Sequence, residues 1–165
     1  MNHEIQIREA NEKDHFSVVL QMTMELEKHS AKSNSGYWLY DVRTFAESCK
    51  RAFNDMDTKI YVAYLSGTEQ VIGMGRGMIE YHKDSPIPIT GCILYLWVEP
   101  EYRRNKVGKA IVKELMNFFT YKGAQELTID YAHGNVEAER FWGKMGFNPC
   151  VVRCYKRKGV QSNDL

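Results

Sequence analysis

Apolar and polar residues alternate along residues 4–10 (EIQIREA), and a period of two predicts an opening strand. Residues 11–14 read as a turn and helix start, with acids where the positive end of a helix dipole favours them. Phe16, Val19, Leu20, Thr23 and Leu26 then recur at helical spacing, and Val42, Phe45, Cys49, Ala52 and Phe53 mark a second helix. SAKSNSG between them is a small-polar loop. Residues 59–67 (KIYVAYLSG) form a β-branched and aromatic strand ended by a Ser–Gly turn signal. Residues 71–82 (VIGMGRGMIEYH) follow closely enough to close a hairpin. SPIP breaks that strand, and TGCILYLWV (90–98) is almost wholly apolar, as a central strand covered on both faces would be.

Val107, Ile111, Leu115 and Phe118 fall on one face of a third helix over residues 107–121. Residues 124–132 (AQELTIDYA) predict a fifth strand, and residues 135–147 (NVEAERFWGKMGF) a fourth helix closing at Gly146, a residue suited to a C-terminal cap. VVRCYKR predicts a last strand and GVQSNDL a frayed tail. The order β-α-α-β-β-β-α-β-α-β describes a mixed sheet flanked by helices. It forms one domain over residues 1–158, with residues 159–165 as the tail.

Composition narrows the function classes. At 165 residues, 44% hydrophobic and 12% aromatic, the chain is long and apolar enough for a real core. Its 22 basic residues nearly cancel its 21 acidic ones, which argues against a nucleic-acid partner. MNHEIQIREA has no apolar signal region and no run is long enough to span a bilayer, so a cytoplasmic location and no membrane partner are expected. Cys49, Cys92, Cys150 and Cys154 form no CxxC pair and are read as reduced thiols, with no metal site among them.

The candidate chemistry lies where strand four feeds helix three, in VEPEYRRNKVGKAIVKEL (98–115). The first N–H groups of a helix have no internal partner and carry the positive end of its dipole, so they bind anions. Arg103, Arg104, Lys106 and Lys109 add charge, and Gly108 leaves the backbone bare for a phosphate or pyrophosphate. The stretch taken alone fits a basic solvated turn equally well. It is no GxxxxGK[ST] loop, since Ala110 stands where the hydroxyl belongs. GMGRG (73–77) is no dinucleotide loop either, because its third glycine comes early and no helix follows. Those glycines bare one face of strand three for close packing or a bulge.

VEPEYRRNKVGKAIVKEL resembles motif A of the GNAT superfamily of N-acetyltransferases, with Arg103 and Gly108 at the ends of [QR]-x-x-G-x-[GA] and Lys106 replacing the middle glycine. NVEAERFWGKMGF is similar to the family's N-x-x-A-x-x-[FL]-Y-x-K-x-G-F helix through Asn135, Ala138, Phe141, Lys144, Gly146 and Phe147. The resemblance implies the GNAT acyl-CoA N-acyltransferase fold, α/β (α+β), with a mixed, mostly antiparallel central sheet flanked by helices. It implies acetyl-CoA as donor, CoA as product, and direct attack of a primary amine on the thioester. It further implies that backbone around Trp97 and Val98 pairs with the pantetheine arm. Arg103, Arg104, Asn105, Lys106, Val107, Gly108 and Lys109 hold the pyrophosphate, and Asn135 and Ala138 meet the cofactor from helix four. Strands four and five splay apart around the thioester, and many relatives form homodimers, here through the C-terminal strand region.

An attacking amine must lose a proton, and the thiolate leaves more readily with an acid or a polarising donor nearby. The tyrosine that serves as acid in many relatives is Trp142 here, and strand four holds no carboxylate. Glu80 and His82 are the candidate bases, with Glu99 behind them, and Tyr131 or Tyr95 the candidate acids; a water path without a base stands beside them. His3, His15 and His29 are read as solvated, and His133 as a helix-start residue. Tyr37, Trp38 and Tyr40 wall an amine pocket by cation–π contact, with Asp41 or Glu25 as counter-charge, or else simply cap the core. The expected partner is a small-molecule amine. A non-catalytic acyl-CoA sensor and an acetyltransferase of protein amines are the alternatives.

Overall fold

The computed structural model describes residues 4–32 and 42–154. Strands β1 (Ile5–Glu9), β2 (Thr58–Leu65), β3 (Val71–Tyr81), β4 (Ile89–Val98) and β5 (Glu126–Ile129) form one sheet in that order. The first three pairings are antiparallel and the last, β4 with β5, is parallel. Helices α1 (Glu12–Ala31) and α2 (Val42–Phe53) cover one face, where Val19, Met22, Cys49 and Ala52 bury against Ile60, Val62, Met74 and Trp97. Helices α3 (Val107–Tyr121) and α4 (Val136–Lys144) cover the other, with Ile111, Val112, Leu115, Phe119 and Trp142 against Ala63, Ile72, Ile79 and Ile93. Period-3.6 and period-2 apolar patterns thus meet in two layers of core, one on each side of the sheet.

The glycines of β3 do what their alternation implies. A Cβ at Gly75 would stand 2.4 Å from Ile111 Cγ2, at Gly77 2.5 Å from Phe119 Cζ, and at Gly73 2.9 Å from the Trp97 carbonyl oxygen. The stripe lets α3 lie directly on the sheet. Met74 and Arg76 alternate to the face of α1 and α2.

Three expectations need correction. The fifth strand has four residues rather than nine, because β4 offers it only four partners, Thr90 to Ile93. Residues 151–154 form no strand: Val151 and Val152 are 82% and 78% exposed, and the sheet ends at β5 without pairing them. His15 is buried rather than solvated, its Nε2 2.6 Å from the hydroxyl of Tyr64 and its Nδ1 facing the Asn11 backbone.

The glycine stripe predicts opposite outcomes for two alanine substitutions. Gly75→Ala forces Ile111 aside and costs about 1–3 kcal/mol in denaturant unfolding. Gly143→Ala in α4, with open space around the new methyl, adds up to about 1 kcal/mol.

Candidate active site

Two described helices satisfy their own starts. Asn11 caps α1 by accepting from the Asp14 amide at 2.9 Å, and Asn135 caps α4 by accepting from the Ala138 amide at 3.1 Å; both helices carry acids in the first turn. Helix α3 does neither. Its cap residue, Lys106, makes no side-chain cap bond, and no acid stands in the first turn. Lys106 and Arg104 hold φ near +65°, the left-handed conformation that glycine adopts without cost. Lys106, standing where the motif has a glycine, thus holds a conformation that glycine adopts readily. A Cβ at Gly108 would lie 3.4 Å from the Phe141 ring and 3.7 Å from Val98, so α4 closes over the same turn. The result is an uncapped, dipole-positive terminus ringed by the exposed Arg104, Lys106 and Lys109, with Asn105 between them. Its donors suit a pyrophosphate. The side chain of Val107 is buried in the core, which leaves only its amide facing this turn.

Arg103 is turned back from this ring. Its Nε donates to the Val98 carbonyl at 3.0 Å, its guanidinium lies 4.7 Å from the Trp97 ring centroid, and its Nη1 reaches Glu137 at 3.4 Å. It ties the turn to β4 and α4, and the Val98 carbonyl is already engaged. The His29 ring also meets Trp97, edge-on at 5.9 Å. Burial first, and then the charge of Arg103, hold His29 below the usual histidine range, so it is half-buried and neutral near pH 7. The expectation of a solvated His29 fails because α1 lays its last turn on β4.

The sheet opens next to this turn. Pairing between β4 and β5 runs from Thr90–Glu126 to Ile93–Ile129 and stops, while β4 continues five residues to Val98. The break coincides with a bulge: Gly77 pairs with Ile93 and Arg76 with Tyr95, so Leu94 is skipped. Before the bulge, Gly91 and Ile93 face α3; after it, Tyr95 and Trp97 face α1. The crevice lies at the carboxyl ends of two parallel strands, each followed by a helix, where open α/β sheets bind ligands.

The predicted chemistry residues divide. Tyr131 lies two positions past the last pair of β5, half-buried at the fork. Glu80 pairs with Thr90, about 10 Å of strand short of the fork. It acts electrostatically on Cys92, whose thiol is pushed up to about 11, by burial first and by Glu80 and Asp130 after. His82 lies further out, with Nε2 3.6 Å from Glu80 and nearly half of its side chain exposed. Trp142 is buried between Phe141 and Phe147, a packing position. Asn135 spends its carboxamide oxygen on the α4 cap, and Ala138 is half-buried behind it. Glu25 pairs with Lys28 at 2.7 Å on α1, its side chain partly exposed. Tyr37, Trp38, Tyr40 and Asp41 lie outside the described residues. Asp130, Glu27 and Arg76 were not singled out from sequence; a charge inside an otherwise apolar strand, as at Arg76, was the available signal.

An acetyltransferase (GNAT) family model matches residues 20–147. The chain belongs to the GNAT family of acetyltransferases. Among curated proteins none matches it. Solved structures agree in fold. An aminoglycoside N-acetyltransferase solved with CoA is 17% identical with a TM-score of 0.74, over 96% of this chain and 97% of that one. An aminoglycoside 6'-N-acetyltransferase from Acinetobacter haemolyticus gives 18% and 0.73, over 94% and 99%. A glucosamine-6-phosphate N-acetyltransferase from Arabidopsis thaliana gives 18% and 0.70, over 94% and 99%. These similarities place the five-stranded sheet and its four helices within the GNAT fold. No described helix is long and apolar enough to cross a membrane.

Burial pushes the carboxyl of Glu27 on α1 from 4.5 up to about 7, with Oε2 unpaired among the described residues. The folded protein holds this proton where the unfolded chain has lost it, so stability falls as pH rises from about 4.5 to 7. Glu27→Gln removes that loss. After discounting for solvent screening, thermal melting should show a gain on the order of 1 kcal/mol at pH 8 and almost none at pH 4.

Proposed function

We propose that this GNAT protein transfers the acetyl group of acetyl-CoA to a primary amine of a small molecule. The observation that carries the reading is the uncapped, cation-ringed start of α3 opening onto the β4–β5 fork. Bound there, acetyl-CoA would supply a thioester whose carbonyl carbon accepts the amine nitrogen, the C–S bond breaking as the amide forms. The amides of Val107, Gly108 and Lys109 hold the pyrophosphate, with Arg104, Lys106 and Lys109 screening its charge. The open edge of β4 beyond Ile93 directs the pantetheine arm into the fork and offers amide donors to the carbonyl oxygen as it gains charge. Tyr131 donates a proton to the departing thiolate. Glu80, through water, takes the proton from the amine.

The two amino-sugar acetyltransferase types among the structural neighbours support a small amine as acceptor over a protein amine. A homodimer through the C-terminal segment belongs to the same reading, on the exposed Val151 and Val152 and the outer edge of β5. A cytoplasmic location rests on the sequence alone.

Calorimetric titration with acetyl-CoA, followed by thiol release against a panel of amines, tests the assignment. Binding with turnover supports it. Binding without turnover of any amine favours the sensor, and no binding removes the site. Gly108→Val should weaken acetyl-CoA at least tenfold, about 1.4 kcal/mol, because the branched side chain enters the anion's approach. Gly108→Ala should stay within about threefold of wild type, since its methyl meets the Phe141 ring only at contact distance.

A further inference from the structure

Arg76 is the group the acetyl-transfer chemistry leaves unused. It sits in β3 where the bulge begins, facing α1 and α2 rather than the phosphate-binding turn. Its guanidinium donates from Nη1 to Ser48 Oγ at 3.2 Å and lies 5.7 Å from the Tyr95 ring centroid. No carboxylate of the described residues pairs with it: Asp55 acts on it only from beyond ion-pair distance, and Nε is buried without an acceptor. Burial works against its charge. A cation taken out of water without a counter-charge is costly, and the Ser48 hydroxyl and Tyr95 ring supply no negative charge to offset it.

A second orphan donor shares this face. Trp97 Nε1 is also buried without an acceptor among the described residues. Met74 pairs with Trp97 and Arg76 with Tyr95, so Arg76 and Trp97 are diagonal neighbours across β3 and β4. Both stand just beyond Ile93, where β5 parts from β4. Two buried N–H donors, one of them charged and neither bonded to a carboxylate of the described residues, make a half-site whose complement is an anion.

We propose that the acceptor amine carries an anionic group, a carboxylate or a phosphate, and that Arg76 is the residue that receives it, with Trp97 Nε1 beside it. This inference rests on the acetyltransferase reading and names the acceptor class within it. A purely polycationic amine would face an unpaired guanidinium and should be the poorer substrate.

Matched acceptors test the proposal with the CoA-saturated protein. Glucosamine is compared with glucosamine 6-phosphate for a phosphate, and an amino acid amide with the free amino acid for a carboxylate. Calorimetry should show at least one anionic member binding tenfold or more tighter than its neutral partner, and which pair shows it tells phosphate from carboxylate. Arg76→Met should erase that preference, raising the KM of the preferred anionic amine tenfold or more, and Arg76→Lys should restore part of it. A separate acetyl-CoA titration of each variant reads the donor site, so failure there counts against the acetyltransferase reading and not against Arg76. Equal binding within both pairs, tighter binding of the neutral or polycationic amines, or no acceptor binding to a protein that binds CoA would overturn the assignment. Should Arg76→Met not fold, the wild-type comparison alone decides.

Discussion

The contact between α3 and the glycine face of β3 is the constraint on which the rest depends. With no side chains at Gly73, Gly75 and Gly77, Ile111, Leu115 and Phe119 seat directly on the sheet. That closeness fixes where the first turn of α3 emerges at the end of β4. Residues 99–106 must then cross from strand to helix in one short step, through a 3-10 turn at Pro100–Tyr102 and two left-handed residues, Arg104 and Lys106. The chain spends conformational strain there, and the product is a helix start with its amides unpaired. Arg103 secures the turn by bonding back to Val98 and lying on Trp97.

The bulge at Leu94 divides the labour between the two faces of the sheet. Up to Ile93, β4 gives the α3 face its core and gives β5 its partners. Beyond it the same strand turns Tyr95 and Trp97 to α1 and leaves its other edge open. One extra residue thus produces both the fork, where a thioester can lie, and the change of face that brings Arg76, Tyr95 and Trp97 together on the side where α1 and α2 meet. The buried polar atoms left unpaired among the described residues, Arg76 Nε, Trp97 Nε1 and Glu27 Oε2, belong to β3, β4 and α1 respectively, the elements packed on that side.

Much of this was legible in the residues. Helix α3 spans Val107–Tyr121 as its apolar spacing requires, and the β3 glycines pack as their alternation implies. The uncapped start of α3, where we propose that a phosphate binds, was marked by local facts, a strand end, cations and a bare position before a helix. What was not legible depends on distance in space. The solvated reading of His15 and His29 failed because nothing in α1 announces that Tyr64 and Trp97 will lie beneath them. Arg103 was read with the pyrophosphate-holding residues, and only the fold shows it bonded back onto its own strand. The shortness of β5 follows from the bulge in β4, and a one-residue register shift leaves no mark in an apolar run.

The central claim is that the start of α3 holds the pyrophosphate of acetyl-CoA while the fork holds its thioester. Comparing the affinities of acetyl-CoA and S-acetylpantetheine, which carries the same thioester without the pyrophosphate or nucleotide, tests that division most directly. The account predicts that acetyl-CoA binds at least a hundredfold tighter, about 2.7 kcal/mol, and that the gap narrows as salt is raised. Equal affinities, insensitive to salt, would contradict it.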